Sequence, residues 1–368
     1  MKKILFVLSS EKLSGGERVA LDIAYNLKEE FEFIFCLPKE PSKEFKELLK
    51  SFKLFYSQNS KILEVSKKIG EIIKKESPEI IVAHGTRASI YLKIFLLKSL
   101  IFKRNFKFIY ILHGIHFIRY KFPKNFIFYL WEVVTNRFLV DYLICVGKDD
   151  FELAKKLKLN KNIVLIENGI NYKDYENIRL GILKKEFDLK EDTIVLTTIC
   201  RLHYQKDIVT LIKAINLLKN ENTVLFVVGD GPDRKKLEDL TKKLNLENKI
   251  KFLGYRTDIK EILADTDIFI LSSKWEGLPI VILEAWASKK PVIASNVHGI
   301  KSLVEDNKDG LLFEFKNEKD LVQKINFLIK NEEAKSMLAE NGYNKVKKFY
   351  NLEIMVNNYE DLFSQCLK

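Results

Sequence analysis

Four charged side chains have the types and spacing to handle a phosphorylated, hydroxyl-rich molecule. Arg201 and Lys206 follow the apolar run TIVLTTIC in the stretch CRLHYQKD. Two cations so close to a strand end can clamp a diphosphate, Arg by a planar fork and Lys as a compact charge. Glu276 and Glu284 stand in SSKWEGLPIVILEAW, just after the apolar run TDIFILS. Pro is favoured at a first helical position, where its missing N–H has no partner anyway. The spacing therefore predicts a loop carrying Glu276, Gly277 and Leu278, then a helix from Pro279 to about Ala287. Ile280 falls in its first turn and Glu284 in its second. Wholly helical, the two carboxylates would lie about 12 Å apart along the axis. With Glu276 in a loop, they can still line one elongated pocket at a sheet edge. Free N–H groups at the helix start attract anions. Carboxylates for hydroxyls and N–H groups for phosphate together suit a nucleotide-sugar. The plainer alternative is that Glu276 caps a helix and Glu284 faces water.

Other candidates lie in the first half. Gly15 and Gly16 sit where the strand KKILFVLSS gives way to the helical SGGERVALDIAYNL. Glycine there permits a tight turn or close approach of a ligand to the backbone. His113 ends the run FKFIYILH and is followed by Gly114; His116 is an alternative, and His84, ending EIIVAH, a weaker one.

These residues need a scaffold, and the chain is long enough for about two domains. Hydrophobic residues make up 47% and charged residues 30% of the 368, which excludes a disordered chain. Cys36, Cys145, Cys200 and Cys366 show no metal-type spacing. Three lie in apolar strand-like runs, so buried reduced thiols and a cytosolic location are expected. The N-terminal MKKILFVLSS reads as a first strand, since its apolar core is short for a signal peptide. No apolar stretch reaches a membrane-spanning length.

Net charge is +12 and uneven. Residues 1–170 hold 30 Lys/Arg against 19 Asp/Glu, whereas residues 171–368 hold 32 against 31. Residues 80–131 contain nine Lys/Arg, no acid, and interleaved Phe, Tyr, Ile and Leu. That mixture favours an anionic membrane surface as a partner. No nucleic-acid motif accompanies the charge, so nucleic acid is not expected.

Apolar strand runs alternate with helical segments throughout. In the first half EFIFCL, EIIVAH, FKFIYILH and YLICVG alternate with helices near 61–76, 88–101, 126–138 and 148–157. In the second, TIVLTTIC, TVLFVV, KIKFLGY, DIFILSS, KPVIAS and GLLFEF alternate with helices near 207–218, 233–244, 258–264 and 279–287. Residues 332–349 and 351–366 read as helices. Such alternation predicts α/β domains with parallel sheets and ligands at the C-terminal strand ends.

The motifs together resemble retaining glycosyltransferases of GT-B fold, family 4. E-G-L-P with E-A resembles the family's E-x7-E element, CRLHYQKD its G-R-L-x-x-x-K-G element, and SGGER its SGGAER-type loop. LHG resembles its H-G element after the fourth strand, IENGIN its N-G-V-D element, and VHGIKSLVEDNKDGLLF its V-G-G-I-P-E-L-V element. Cys200 and Asp207 replace two glycines, Asn171 an Asp, Gly147 a common serine, and His298, Lys301 and Ser302 a Gly, Pro and Glu. The resemblance implies two facing Rossmann-like domains with a cleft between them. Residues 1–172 would bind acceptor and 173–349 donor, and a helix of about 350–368 would pack back on the first domain. It implies retention of anomeric configuration, without a metal or other cofactor. Arg201 and Lys206 would hold the donor diphosphate, Glu284 the ribose, and Glu276 the sugar. Gly277, Leu278, Pro279 and Ile280 would line the donor, with Tyr255 and Arg256 near the base. Gly15, Gly16 and His113 would face the transferred sugar. The expected activity is transfer of a hexose or N-acetylhexosamine, with UDP as the better guess for the nucleotide. The acceptor would be a glycan or lipid-linked glycan in bacterial-type surface polysaccharide or glycolipid synthesis. The enzyme would be cytoplasmic and peripherally membrane-bound. A nucleotide-sugar 2-epimerase of the same fold and a non-catalytic sugar-binding partner are the rival readings.

Overall fold

A computed structural model of the chain describes residues 1–99, 104–115, 117 and 121–368. They form two compact units, Met1–Asn168 with Glu353–Lys368, and Gly169–Leu352.

The first unit is built on a seven-stranded sheet. Its strands are β1 (Lys2–Val7), β2 (Phe31–Leu37), β3 (Lys53–Tyr56), β4 (Ile80–His84), β5 (Lys107–Leu112), β6 (Tyr142–Cys145) and β7 (Ile163–Leu165). They pair in parallel in the order β3-β2-β1-β4-β5-β6-β7. Helices α1 (Gly15–Asn26), α2 (Lys43–Leu48), α3 (Ile62–Glu76), α4 (Thr86–Lys98), α5 (Lys124–Leu139) and α6 (Lys148–Lys156) alternate with them. Strands covered on both faces read as continuous apolar runs, and all of Ile80–His84 is buried accordingly.

The second unit has a six-stranded parallel sheet, order β10-β9-β8-β11-β12-β13. The strands are β8 (Ile194–Ile199), β9 (Thr223–Val228), β10 (Ile250–Gly254), β11 (Ile268–Leu271), β12 (Val292–Ser295) and β13 (Leu311–Phe313). Its helices are α7 (Ile182–Glu186), α8 (Ile208–Leu217), α9 (Arg234–Lys243), α10 (Ile259–Ala264), α11 (Ile280–Ala287), α12 (Glu318–Lys330) and α13 (Glu332–Phe349). Helix α14 (Leu352–Leu367) carries the chain back to the first unit. There Phe363 packs against Phe31 and Phe6, with ring centroids 5.8 and 6.4 Å apart.

Both sheets reverse their strand order once, between β1 and β4 and between β8 and β11. Loops leaving the two central strands diverge there and open a crevice at the strand ends. The loops after β1, β4, β8 and β11 hold most of the candidate residues.

Several expectations need correction. Strand β3 was not foreseen, because KLFY is a short, partly exposed edge strand with no continuous apolar run. His113 therefore follows the fifth strand, not the fourth. The unit boundary falls at 168/169, ahead of 172. Ile170 N–H donates to the Tyr350 carbonyl and Leu352 N–H to that of Ile170, both at 2.9 Å. That pairing ties residues 169–172 to the end of the second unit and moves the return point to 352/353. Helix α11 begins at Ile280, with Pro279 as its extended cap (φ −76°, ψ 104°). All four cysteines are free and buried. Burial pushes the thiols of Cys36 and Cys200 up to about 12 and that of Cys366 to about 11, and raises Cys145 too.

Helices α11 and α13 meet at one glycine. A Cβ at Gly342 would lie 2.1 Å from Cδ1 of Trp286, whose ring is fully buried. The indole N–H donates to the Asp309 carbonyl at 2.8 Å, so the ring cannot move aside freely. Gly342→Ala should destabilise the second unit by about 1–3 kcal/mol, the usual cost of overpacking. Urea unfolding followed by tryptophan fluorescence measures it.

Candidate active site

The loop after β8 and the loop after β11 are bolted together by an ion pair. Lys206 closes a short 3₁₀ turn, Tyr204–Lys206, and its ammonium donates to Glu276 Oε1 at 2.6 Å. Ser273 Oγ donates to the same oxygen. Glu276 is buried. Burial pulls the Lys206 ammonium down, but neighbouring groups, Glu276 foremost, together raise it, and the net shift is upward. Backbone contacts reinforce the junction: Lys274 N–H donates to the Gln205 carbonyl at 2.7 Å, and Gln205 Nε2 to that of Trp275 at 2.9 Å. Ser272 Oγ donates to the Lys206 carbonyl at 2.9 Å. Asp207, where the family motif has Gly, adopts the left-handed conformation a Gly would take (φ 48°, ψ 41°). Asp tolerates that region better than most residues, and its Oδ2 accepts from Thr210 Oγ1 at 2.7 Å. Arg201 is exposed, with no salt-bridge partner among the described residues.

A third loop, after β12, supports the second. Glu276 N–H donates to the His298 carbonyl at 3.0 Å. Gly299 has φ +82°, and a Cβ there would lie 2.1 Å from the Glu276 carbonyl oxygen. Only glycine fits. The His298 departure from the family pattern thus leaves intact the position that needs glycine. The N–H groups of Gly277 and Leu278 meet no backbone acceptor among the described residues.

Glu284 lies in the second turn of α11 and is buried, not solvated. Its Oε1 accepts from the Tyr175 hydroxyl at 2.9 Å. Tyr255 is exposed just beyond β10. Arg256 is a structural residue: its guanidinium forks onto Glu186 at 2.8 and 3.0 Å and onto Asp258 at 2.8 and 2.6 Å.

In the first unit, Gly16 and His113 are brought together. A Cβ on Gly16 would lie 3.3 Å from His113 Nε2, and one on Gly85 3.7 Å from His113 Cδ2. His84 stacks on His113 with centroids 6.0 Å apart. Burial first, and the neighbouring His113 second, hold the His84 imidazole far below its ordinary range, so it stays neutral. His116 lies outside the described residues. The segment after His113 is pinned by Asp150, whose Oδ1 accepts the Ile115 N–H at 3.1 Å. Glu17, beside Gly16, is buried; burial raises its carboxyl, and hydrogen bonds from Ser14 and Ser9 only partly counter that.

Sequence reasoning missed Ser273, Tyr175, Gly299, Glu17 and Asp150. Gly299 alone had a readable signal, as the glycine of VHGI that matches the second glycine of the family's V-G-G-I element, in the loop between β12 and β13.

Among the described residues no three His, Cys, Asp or Glu side chains gather as metal ligands, and no helix is long and apolar enough to cross a membrane.

Comparison with known proteins places this geometry. The family profile described as "Glycosyl transferases group 1" matches residues 182–345, and "Glycosyltransferase Family 4" matches residues 13–174. An Escherichia coli UDP-Gal:alpha-D-GlcNAc-diphosphoundecaprenol alpha-1,3-galactosyltransferase is 28% identical, covering 98% of this chain and 96% of its own. A Campylobacter jejuni N,N'-diacetylbacillosaminyl-diphospho-undecaprenol alpha-1,3-N-acetylgalactosaminyltransferase is also 28% identical, over 70% of this chain and 65% of its own. Among solved structures, Anabaena HepE in complex with UDP-glucose matches with a TM-score of 0.85 at 22% identity, covering 99% of this chain and 100% of that one. Two parallel-sheet α/β units of this kind are the GT-B fold. The chain belongs to the group 1 glycosyltransferases and is a glycosyltransferase enzyme.

Proposed function

We propose that this enzyme moves a hexose or N-acetylhexosamine from a UDP-sugar to a lipid-linked glycan at the cytosolic membrane surface, retaining anomeric configuration. The Lys206–Glu276 pair, with Arg201 in the same loop after β8 at the β8/β11 reversal, carries the reading. Two observations on relatives support it. The Escherichia coli and Campylobacter relatives are named for diphosphoundecaprenol-linked acceptors, and HepE holds UDP-glucose.

An ammonium has three N–H donors. One from Lys206 is taken by Glu276; the other two are assigned to the donor diphosphate, together with the Arg201 guanidinium. These fixed cations stabilise the charge that grows on the leaving nucleotide diphosphate, a task that then needs no metal. Glu276 Oε1 is occupied by Lys206 and Ser273, so Oε2 is the atom assigned to a sugar hydroxyl, with Gly277 and Leu278 N–H alongside. Glu284, its carboxylate oriented by Tyr175, takes the ribose hydroxyls, and Tyr255 flanks the base. Acceptor binding is assigned to the first unit, near Gly15, Gly16 and His113. The acceptor oxygen attacks the anomeric carbon on the face from which the diphosphate departs. One carbon–oxygen bond forms as the other breaks, and the acceptor proton passes to a diphosphate oxygen. No further side chain is required as a nucleophile.

Arg201→Ala and Lys206→Ala should each lower turnover at least ~100-fold, the scale for losing one transition-state donor. Steady-state kinetics with a UDP-sugar test this, and wild-type-like turnover in either would sink the clamp. Transfer should persist in EDTA; a loss restored by Mg²⁺ would overturn the metal-free reading. Saturation-transfer NMR with a nucleotide-sugar panel identifies the donor. A 2-epimerised nucleotide-sugar formed without acceptor would replace transfer by epimerisation as the activity.

A further inference from the structure

Helix α5 packs Phe128, Tyr129 and Val133 against the core of the first unit, yet it also exposes an apolar face unusual for a helix facing water. Its fully buried residues are all polar: Glu132, Thr135 and Asn136. Its exposed residues are mostly apolar: Phe126 (51% exposed), Ile127 (61%), Leu130 (43%), Val134 (51%) and Phe138 (81%). At 3.6 residues per turn these five share one face about 120° wide. Phe122, just ahead of the helix, is 80% exposed. Isolated apolar residues on a surface need no explanation, but a contiguous patch does.

The inward polarity is specifically built. Lys93, on α4, is fully buried, and its ammonium lies 3.1 Å from Glu132 Oε2. Asn136 Nδ2 donates to the same oxygen at 3.0 Å. The Lys93 ammonium also lies 4.9 Å above the centre of the Tyr110 ring. Asn160 Nδ2 donates to the Asn136 and Val140 carbonyls at 2.6 and 3.0 Å. Buried ion pairs are costly unless their geometry is good. This one fixes the rotation of α5 about its axis and so fixes which face looks outward.

The charge around that face has one sign. Glu132 is the only acid from Ile80 to Leu139, and it points inward. Lys121 is exposed just ahead of α5, Lys124 and Arg137 are exposed on it, and Lys98 is exposed at the end of α4, which packs against it. A second copy docked face to face would set these cations against each other. An anionic bilayer complements them and offers acyl chains to the apolar side chains.

We propose that the exposed face of α5 lies in the interface of an anionic lipid bilayer. Phe126, Ile127, Leu130, Val134 and Phe138 enter the acyl region, with Lys121, Lys124 and Arg137 at phosphate level. This rests on the membrane-surface reading above and goes beyond it by naming an inserted element. It also changes the expected behaviour: charge attraction alone is screened by salt, whereas apolar insertion is not.

The chain carries its own probe. Trp131 borders this face and is partly exposed, while Trp275 and Trp286 are buried in the second unit. The full-length protein is mixed with phosphatidylglycerol/phosphatidylcholine vesicles containing brominated lipid. Its tryptophan fluorescence should be quenched, and Trp131→Phe should abolish the quenching. In co-sedimentation at about 0.5 M NaCl, the combined Phe126→Ser, Leu130→Ser, Phe138→Ser variant should bind at least about 10-fold more weakly than wild type. Absence of quenching in wild type, or wild-type-like binding by the triple variant, would overturn the proposal. So would a triple variant that turns a dimer into a monomer in sedimentation velocity while binding vesicles unchanged, since the face would then be a self-interface. UDP-glucose signals in saturation-transfer NMR should be equal in wild type and variants. Their absence from both, with quenching intact, would fault UDP-glucose as the donor and leave the docking face standing.

Discussion

A lysine ammonium and a glutamate carboxylate, 2.6 Å apart and largely shielded from water, hold the second unit's loops in one arrangement. Removing either partner would leave a buried charge uncompensated, a loss of several kcal/mol on the usual scale (about 3–5). Around that pair, Ser272, Ser273, Gln205 and the His298 carbonyl tie together the loops after β8, β11 and β12. The sheet brings these loops to one place because its strand order reverses between β8 and β11. Under the proposed assignment, a donor meets there a carboxylate and an ammonium that are already oriented by each other. Little reorganisation remains to be done at the moment of reaction, which is where electrostatic catalysis gains most.

The first unit solves a related problem with space in place of charge. Gly16 and Gly85 are small where His113 needs room, and the neutral His84 stacks on it without competing for a proton. Asp150 reaches from α6 to fix the backbone just past His113. The same crevice logic applies, at the reversal between β1 and β4, but the wall is made of absent side chains.

The strands were legible because both faces of a parallel sheet are covered, so each reads as an unbroken apolar run. KLFY and IVL escaped notice because edge strands are short and half-covered. Arg201, Lys206, Glu276 and Glu284 could be singled out from charge type and local spacing. Their partners could not: Tyr175 meets Glu284 across 109 residues of chain and Lys206 meets Glu276 across 70. Such contacts exist only once the sheet order is known. The acid-free basic stretch was visible in composition, yet the exposed apolar face of α5 was not, because it depends on which face Lys93 captures. Arg256 shows the converse, a residue whose type suits a phosphate but whose guanidinium is spent on Glu186 and Asp258.

The buried thiols carry a consequence of their own. Cys36, Cys145 and Cys366 belong to the first unit and Cys200 to the second, and all are held in their unreactive protonated form. A thiolate is the species that alkylating reagents attack. The native enzyme therefore reacts slowly with them, and faster modification records an excursion in which one unit has opened. Because the two units hold different cysteines, mass spectrometry of alkylated peptides would time their breathing separately, with no label introduced.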